Sequence, residues 1–165
     1  MAVVTSKLVA SIIGSDASGT PVNYTFGPFP GNMDLSLEGL QAGQVEGIAV
    51  LSNGTFLEMV EGDDVPVTFS ITLLHDGKLI DNSTGKPLNM ALNLGTYASG
   101  TTKDPGGLVW SVDVVVTMTR SGVSSTITLR NCRLTASFAT AKEGNTISLS
   151  GTAYGTGTLR PVTIA

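Results

Sequence analysis

The stretch Trp110-Ser111-Val112-Asp113-Val114-Val115-Val116-Thr117-Met118-Thr119 decides the fold class. With Leu108 before it, Trp110, Val112, Val114, Val116 and Met118 share one parity, and Ser111, Asp113, Thr117 and Thr119 share the other, with Val115 the exception. Successive side chains of a strand point to opposite faces, so this segment has one face to bury and one mostly hydroxyl face.

The pattern continues downstream. Ser121-Gly122 is a turn signal, and Ile127 and Leu129 then point one way while Cys132, Leu134, Ala136 and Phe138 follow on the opposite parity. One extra residue near Arg130-Asn131 restores the phase, which predicts a β-bulge and a bent strand there. Glu143-Gly144-Asn145 turns the chain again, after which Ile147, Leu149, Gly151, Ala153 and Gly155 face in and Thr146, Ser148, Ser150, Thr152 and Tyr154 face out. These three strands form a predicted meander.

Upstream, Val65, Val67, Phe69, Ile71 and Leu73 make another strand, with Pro66 marking a strand start or an edge. Met33, Leu35 and Leu37 alternate with Asp34, Ser36 and Glu38; Lys7 to Ile13 and Val45 to Leu51 are shorter candidates; Val22, Tyr24 and Phe26 form one more, followed by a loop over Gly27-Pro28-Phe29-Pro30-Gly31. Pro87 and Gly95 bracket a short amphipathic helix with Leu88, Ala91 and Leu92 on one face. It lies inside Asp76 to Gly107, a stretch too long for a plain connection. No repeat or linker interrupts the chain, so residues 1–165 read as a single all-β domain, a small barrel or sandwich of antiparallel strands with one flanking α-helix.

Composition narrows the function. Of 165 residues only 13% are charged, against roughly 25% in an ordinary soluble domain, with a net charge of −4. A surface this poor in charge is poorly defended against association and is expected to be covered in use. Lysines and arginines do not cluster, so nothing marks a grip on phosphate backbones. The lone Cys132 gives no disulfide framework and fits a reducing compartment, and its parity makes it a core thiol. No apolar run is long enough to span a bilayer, and Met1 to Ile13 alternates around Lys7 rather than forming a signal peptide. Three Asn-x-Thr sequons, at Asn23, Asn53 and Asn82, carry no meaning without secretion.

No catalytic or cofactor motif emerges. His75 is the one histidine, and His75-Asp76-Gly77 reads as a strand end entering a turn rather than as part of a nucleophilic triad. One Cys and one His are too few for a zinc site. Glu58, Glu61, Asp63 and Asp64 lack calcium-loop spacing and read as a solvated acidic loop. Gly85-Lys86 lacks the rest of a P-loop, and Gly151, Gly155 and Gly157 make no dinucleotide turn. Aromatics are 5% of the chain, too sparse for a carbohydrate or nucleic-acid stacking platform, and Trp110 lies on the apolar side of its strand. The expectation is a non-enzymatic protein with no cofactor and no metal.

The long C-terminal strands carry only Arg120, Arg130 and Arg133 as basic residues and mostly Thr and Ser on their polar faces. Edges so lightly guarded suit completion by a neighbour's strand. The element order also resembles that of phage tail tube proteins. Gly62-Asp63-Asp64-Val65-Pro66-Val67-Thr68-Phe69-Ser70 looks like the start of their central strand; a linker and short helix follow, here Pro87 to Leu94, then a strand, Trp110 to Thr119. Two closing strands are carried by Thr126-Ile127-Thr128-Leu129-Arg130-Asn131-Cys132-Arg133 and by Gly144 to Gly155. The resemblance covers about Glu58 to Gly155 and rests on element order and short phrases.

The resemblance implies a virion protein whose hexameric rings stack into the tail tube, a conduit for DNA ejection, with strands of neighbouring subunits lining the channel as one sheet. It implies as partners copies of the chain, other tail proteins (sheath or terminator, baseplate or tip) and genomic DNA that passes without specific binding, with no membrane. It places the chain in the virion tail and, during assembly, in the host cytoplasm. Residues expected at contacts between copies are Thr96, Lys103 and Asp104 in the long segment, with its flanks Lys78 to Gly85 and Thr96 to Gly107 reaching neighbours, and Thr117, Thr135, Thr146 and Ser148 on polar strand faces. The rival expectation is a capsid decoration or tail fibre (adhesin-type) β protein, forming trimers or binding singly.

Overall fold

A computed structural model describes residues 7–15, 21–30, 33–75, 92–94, 110–141 and 144–165. The strands are β1 (Lys7–Ser15), β2 (Pro21–Pro30), β3 (Met33–Glu38), β4 (Val45–Ser52), β5 (Thr55–Asp64), β6 (Val67–His75), β7 (Val112–Arg120), β8 (Val123–Ala141), β9 (Gly144–Ala153) and β10 (Val162–Ile164). One antiparallel sheet runs in the order β2-β1-β7-β8-β9-β6-β3, with β10 added against β8, and β4 and β5 form a separate two-stranded sheet. The protein is all-β, its main sheet curled into a half-barrel.

The curl begins in β8. Along its first half this 19-residue strand pairs with β7, and along its second half with β9. Between the two, Arg130 and Asn131 together oppose Asp113, the predicted bulge. Asn131 takes the left-handed conformation (φ 53°), which Asn tolerates better than most residues, and its N–H donates to Asp113 Oδ1 at 2.9 Å. The extra residue resets the phase, so Ile127 and Leu129 before it and Cys132 after it all reach the same core.

That core is continuous. Ala10 and Ile12 of β1, Val112, Val114 and Val116 of β7, Ile147, Leu149 and Ala153 of β9, and Val67, Phe69 and Ile71 of β6 are all buried in it, as is Val162 of β10. Strands far apart in sheet order therefore meet across one apolar face, and the sheet packs on itself by curling. Each large side chain so buried contributes roughly 1.5–3 kcal/mol. Trp110, Leu134 and Ala136 pack on the rim of this cluster.

Gly151 marks a tight point. A Cβ there would lie 2.2 Å from the carbonyl oxygen of Arg133, so only glycine lets β9 approach β8 at this register. Gly155, at φ +74°, turns the chain out of β9. The C-terminal segment then runs back beside the first half of β8: the N–H of Arg130 donates to Pro161 O at 2.9 Å, and β10 pairs Val162 with Leu129.

Several expectations change. Gly27 to Pro30 is no loop but the continuation of β2, with Lys7 opposite Pro30 and Leu8 opposite Phe29. A register shift between Leu8 and Ala10 absorbs the Gly-Pro pair, and at the sheet edge the prolines cost no inner ladder bond. The acidic run Glu58, Glu61, Asp63 and Asp64 lies on strand β5. Phe138 keeps the core parity yet is 45% exposed, although Ile147 opposite it on β9 is fully buried. Most of the predicted helix Pro87–Leu94 and nearly all of Asp76 to Gly107 lie outside the described residues; within them Leu92 has a helical conformation followed by a turn at Asn93.

Candidate assembly surfaces

Two surfaces stand out, and the first is the β4–β5 hairpin. Its turn is Asn53-Gly54, both at positive φ (49° and 76°), the pairing that matches the twist of antiparallel strands in a two-residue loop. Apolar residues fall at adjacent rather than alternate positions: Ile48-Ala49-Val50-Leu51 on β4 and Phe56-Leu57 and Met59-Val60 on β5. Such runs belong to strands buried on both faces. Here the side chains are out in solvent, with Leu51, Phe56, Leu57 and Met59 between 56% and 61% exposed and Ile48 46% exposed. Together with Val60 they present on the order of 600 Å² of surface, divided between the two faces of the hairpin. The hairpin carries five acidic residues (Glu46, Glu58, Glu61, Asp63 and Asp64) and no basic one.

Its base is held in place. Val65 N–H donates to Gln44 O at 2.9 Å where the strands meet the body. From the C-terminal segment the guanidinium of Arg160 reaches both Glu61, at 2.7 Å, and Asp64. These hydrogen bonds raise the Arg160 pKa above its usual value, Glu61 contributing most. Arg130, next to the bulge, in turn donates to Thr163 and to Arg160 O at 3.4 Å. A chain of contacts thus runs from the bend in β8 to the foot of the hairpin.

The second surface is the outer face of β3, β6, β9 and the second half of β8. Cross-strand register aligns three rows: Glu38–Thr68–Thr152–Arg133, Ser36–Ser70–Ser150–Thr135 and Asp34–Thr72–Ser148–Ser137. Nine of these twelve residues are Ser or Thr, and the three charges sit on the outermost strands, Asp34 and Glu38 on β3 and Arg133 on β8. Neighbouring hydroxyls meet, as at Thr72 and Ser148, 3.2 Å apart.

Of the residues expected at contacts between copies, Thr135, Thr146 and Ser148 share this face, Thr135 exposed and the other two half-buried. Thr117 lies beyond the bulge on β7, 3.4 Å from the Thr126 hydroxyl. Thr96, Lys103 and Asp104 lie outside the described residues. The sequence pattern yields a strand over Val45 to Leu51 but not the hairpin, although Asn53-Gly54 between apolar runs is the strongest short hairpin signal a sequence carries.

His75 ends β6 opposite Asn145. Cys132 is 1% exposed, and burial, reinforced by nearby Asp113, pushes its thiol pKa well above the ordinary range. Among the described residues no three His, Cys, Asp or Glu side chains group as a metal site, and no helix is long and apolar enough to cross a membrane. The fold and these surfaces define an all-β protein with an open curled sheet and a projecting apolar hairpin. Comparison with protein-family models, curated proteins and solved structures returns no match.

Proposed function

We propose that the chain is a non-enzymatic structural subunit that assembles with copies of itself into stacked rings, as a tail tube protein does, to form the conduit of a virion tail. The observation that carries this reading is the β4–β5 hairpin, whose strands have the composition of a doubly buried sheet while their side chains are exposed. Burying such a surface against another subunit removes the penalty of holding it in water. The hydroxyl face adds support. Its one basic residue, Arg133, gives a polyanion little to hold, as suits a channel that nucleic acid must leave.

The test is mass and shape in solution. Light scattering across a concentration series, with negative-stain imaging, should give rings or tubes with six-fold end views. A species that stays monomeric or strictly trimeric at high concentration contradicts the proposal, and a compact trimer favours a decoration or fibre protein instead.

A further inference from the structure

The core side of the main sheet is not packed along its whole length. Val116 and Ile127, opposed on β7 and β8, are both buried. Ile164 of β10 lies opposite Ile127 in turn, yet it is 62% exposed. Toward the β7–β8 turn, Met118 is opposite Ser125 and Arg120 is opposite Val123. Side chains two residues apart on a strand share a face, so these rows continue the core side beyond its packed part. With Ser121 they line an open cleft of about 390 Å³, and Val123 is 71% exposed. Arg120 is the only charged residue from Val114 to Leu129. This end of the sheet is an apolar rim with one cation, whose stem can lie along the apolar surface while its head stays in water.

The β4–β5 hairpin carries the complement. Val50 is opposite Glu58 and Ile48 is opposite Val60, so these four share one face, while Ala49 and Met59, opposed between them, take the other. Glu46 falls on the face of Ile48, since a Cβ at Gly62 would meet both side chains. This face is therefore apolar and acidic, with no basic residue. Two of the hairpin's carboxylates, Glu61 and Asp64, are already engaged by Arg160. Glu58 is not, and among the described residues neither Glu58 nor Arg120 has an ionic partner, although both are exposed.

We infer, resting on the self-assembly reading above, that the Ile48–Val50–Val60 face of one copy's hairpin docks on the open rim of the next copy, with Glu58 against Arg120. Apolar surface left in water on both sides supplies the drive, and the single opposite charges fix the placement. Charge argues against the simpler pairing of hairpin on hairpin, which would bring two acidic faces together and set like charges side by side. The contact is heterologous, since the hairpin of one copy meets a different surface on the next. Such a contact repeats from copy to copy, and it closes into a ring or runs on as a stack according to the rotation between copies.

Charge reversal and cross-linking test the contact. Glu58→Arg and Arg120→Glu chains, each checked for an unchanged circular dichroism spectrum, should each need at least tenfold more protein to assemble than the unaltered chain. A chain carrying both reversals should assemble at the unaltered concentration again, because each hairpin then meets a rim of opposite charge. With the charges intact, a Val50→Cys/Val123→Cys chain places one thiol opposite Glu58 and one opposite Arg120. Treated with a short bis-maleimide it should give a ladder of covalent oligomers, Cys132 being buried. Single reversals that assemble at the unaltered concentration, or a double reversal that restores nothing, overturn the docking while leaving self-assembly standing. Treated protein that stays a single chain within assembled particles does the same. An unaltered chain that never assembles overturns both.

Discussion

The β8–β9 and β4–β5 hairpins are drawn from similar residues and meet opposite fates. In β8–β9 the apolar side chains alternate with Thr and Ser, and Leu129, Cys132, Ile147 and Leu149 are at most 2% exposed. In β4–β5 they run at adjacent positions, and Leu51, Phe56, Leu57 and Met59 remain more than half exposed. Alternation gives a strand one face to bury, and the curled sheet provides the matching face within the same chain. Adjacent apolar residues give a strand two faces to bury, and among the described residues nothing covers either. On the proposal of self-assembly, the difference separates residues that hold the fold from residues that await another subunit.

Substitutions in the two hairpins should therefore act on different observables. The largest loss of stability is expected from Leu129→Ala, which removes a fully buried side chain at the bend of β8. It should cost about 2–5 kcal/mol, measured by chemical denaturation. Gly151→Ala comes next: its Cβ would sit on the Arg133 carbonyl, so the β8–β9 pairing must shift, at a cost on the order of 2–3 kcal/mol and a melting temperature lower by several degrees. A change of under 0.5 kcal/mol there would mean that the two strands are not so close.

Smaller effects probe the hairpin. Arg160→Ala removes exposed ion pairs to Glu61 and Asp64 and should leave global stability almost unchanged. Amide exchange should nevertheless quicken through Val45–Asp64 and not in β9, because the hairpin foot loses its anchor while the core keeps its own. Equal acceleration in both regions would show that hairpin and body open as one unit.

The sequence made the body of the fold readable because its strands obey a strict period of two. Even the bulge at Arg130-Asn131 was visible, since it shifts the parity of the apolar residues by one. Where a strand departs from that period the pattern misleads. The Gly27-Pro28 pair suggests a loop, but at an edge strand a register shift lets pairing continue. The acidic residues of β5 suggested a solvated loop because they interrupt an apolar run, although Asn53-Gly54 already announced the turn. The three aligned rows of the hydroxyl face were beyond reach, because which serine faces which threonine depends on register between strands up to about a hundred residues apart.

The most direct test of the central claim replaces Leu51, Phe56, Leu57 and Met59 with Ser and compares fold with assembly. All four are exposed, so the isolated chain should keep its β spectrum and lose less than about 1 kcal/mol of stability. Rings and tubes should disappear from electron micrographs, and the mass in solution should fall to that of smaller species. A variant that keeps its fold and builds tubes of normal length at the same protein concentration would contradict the account.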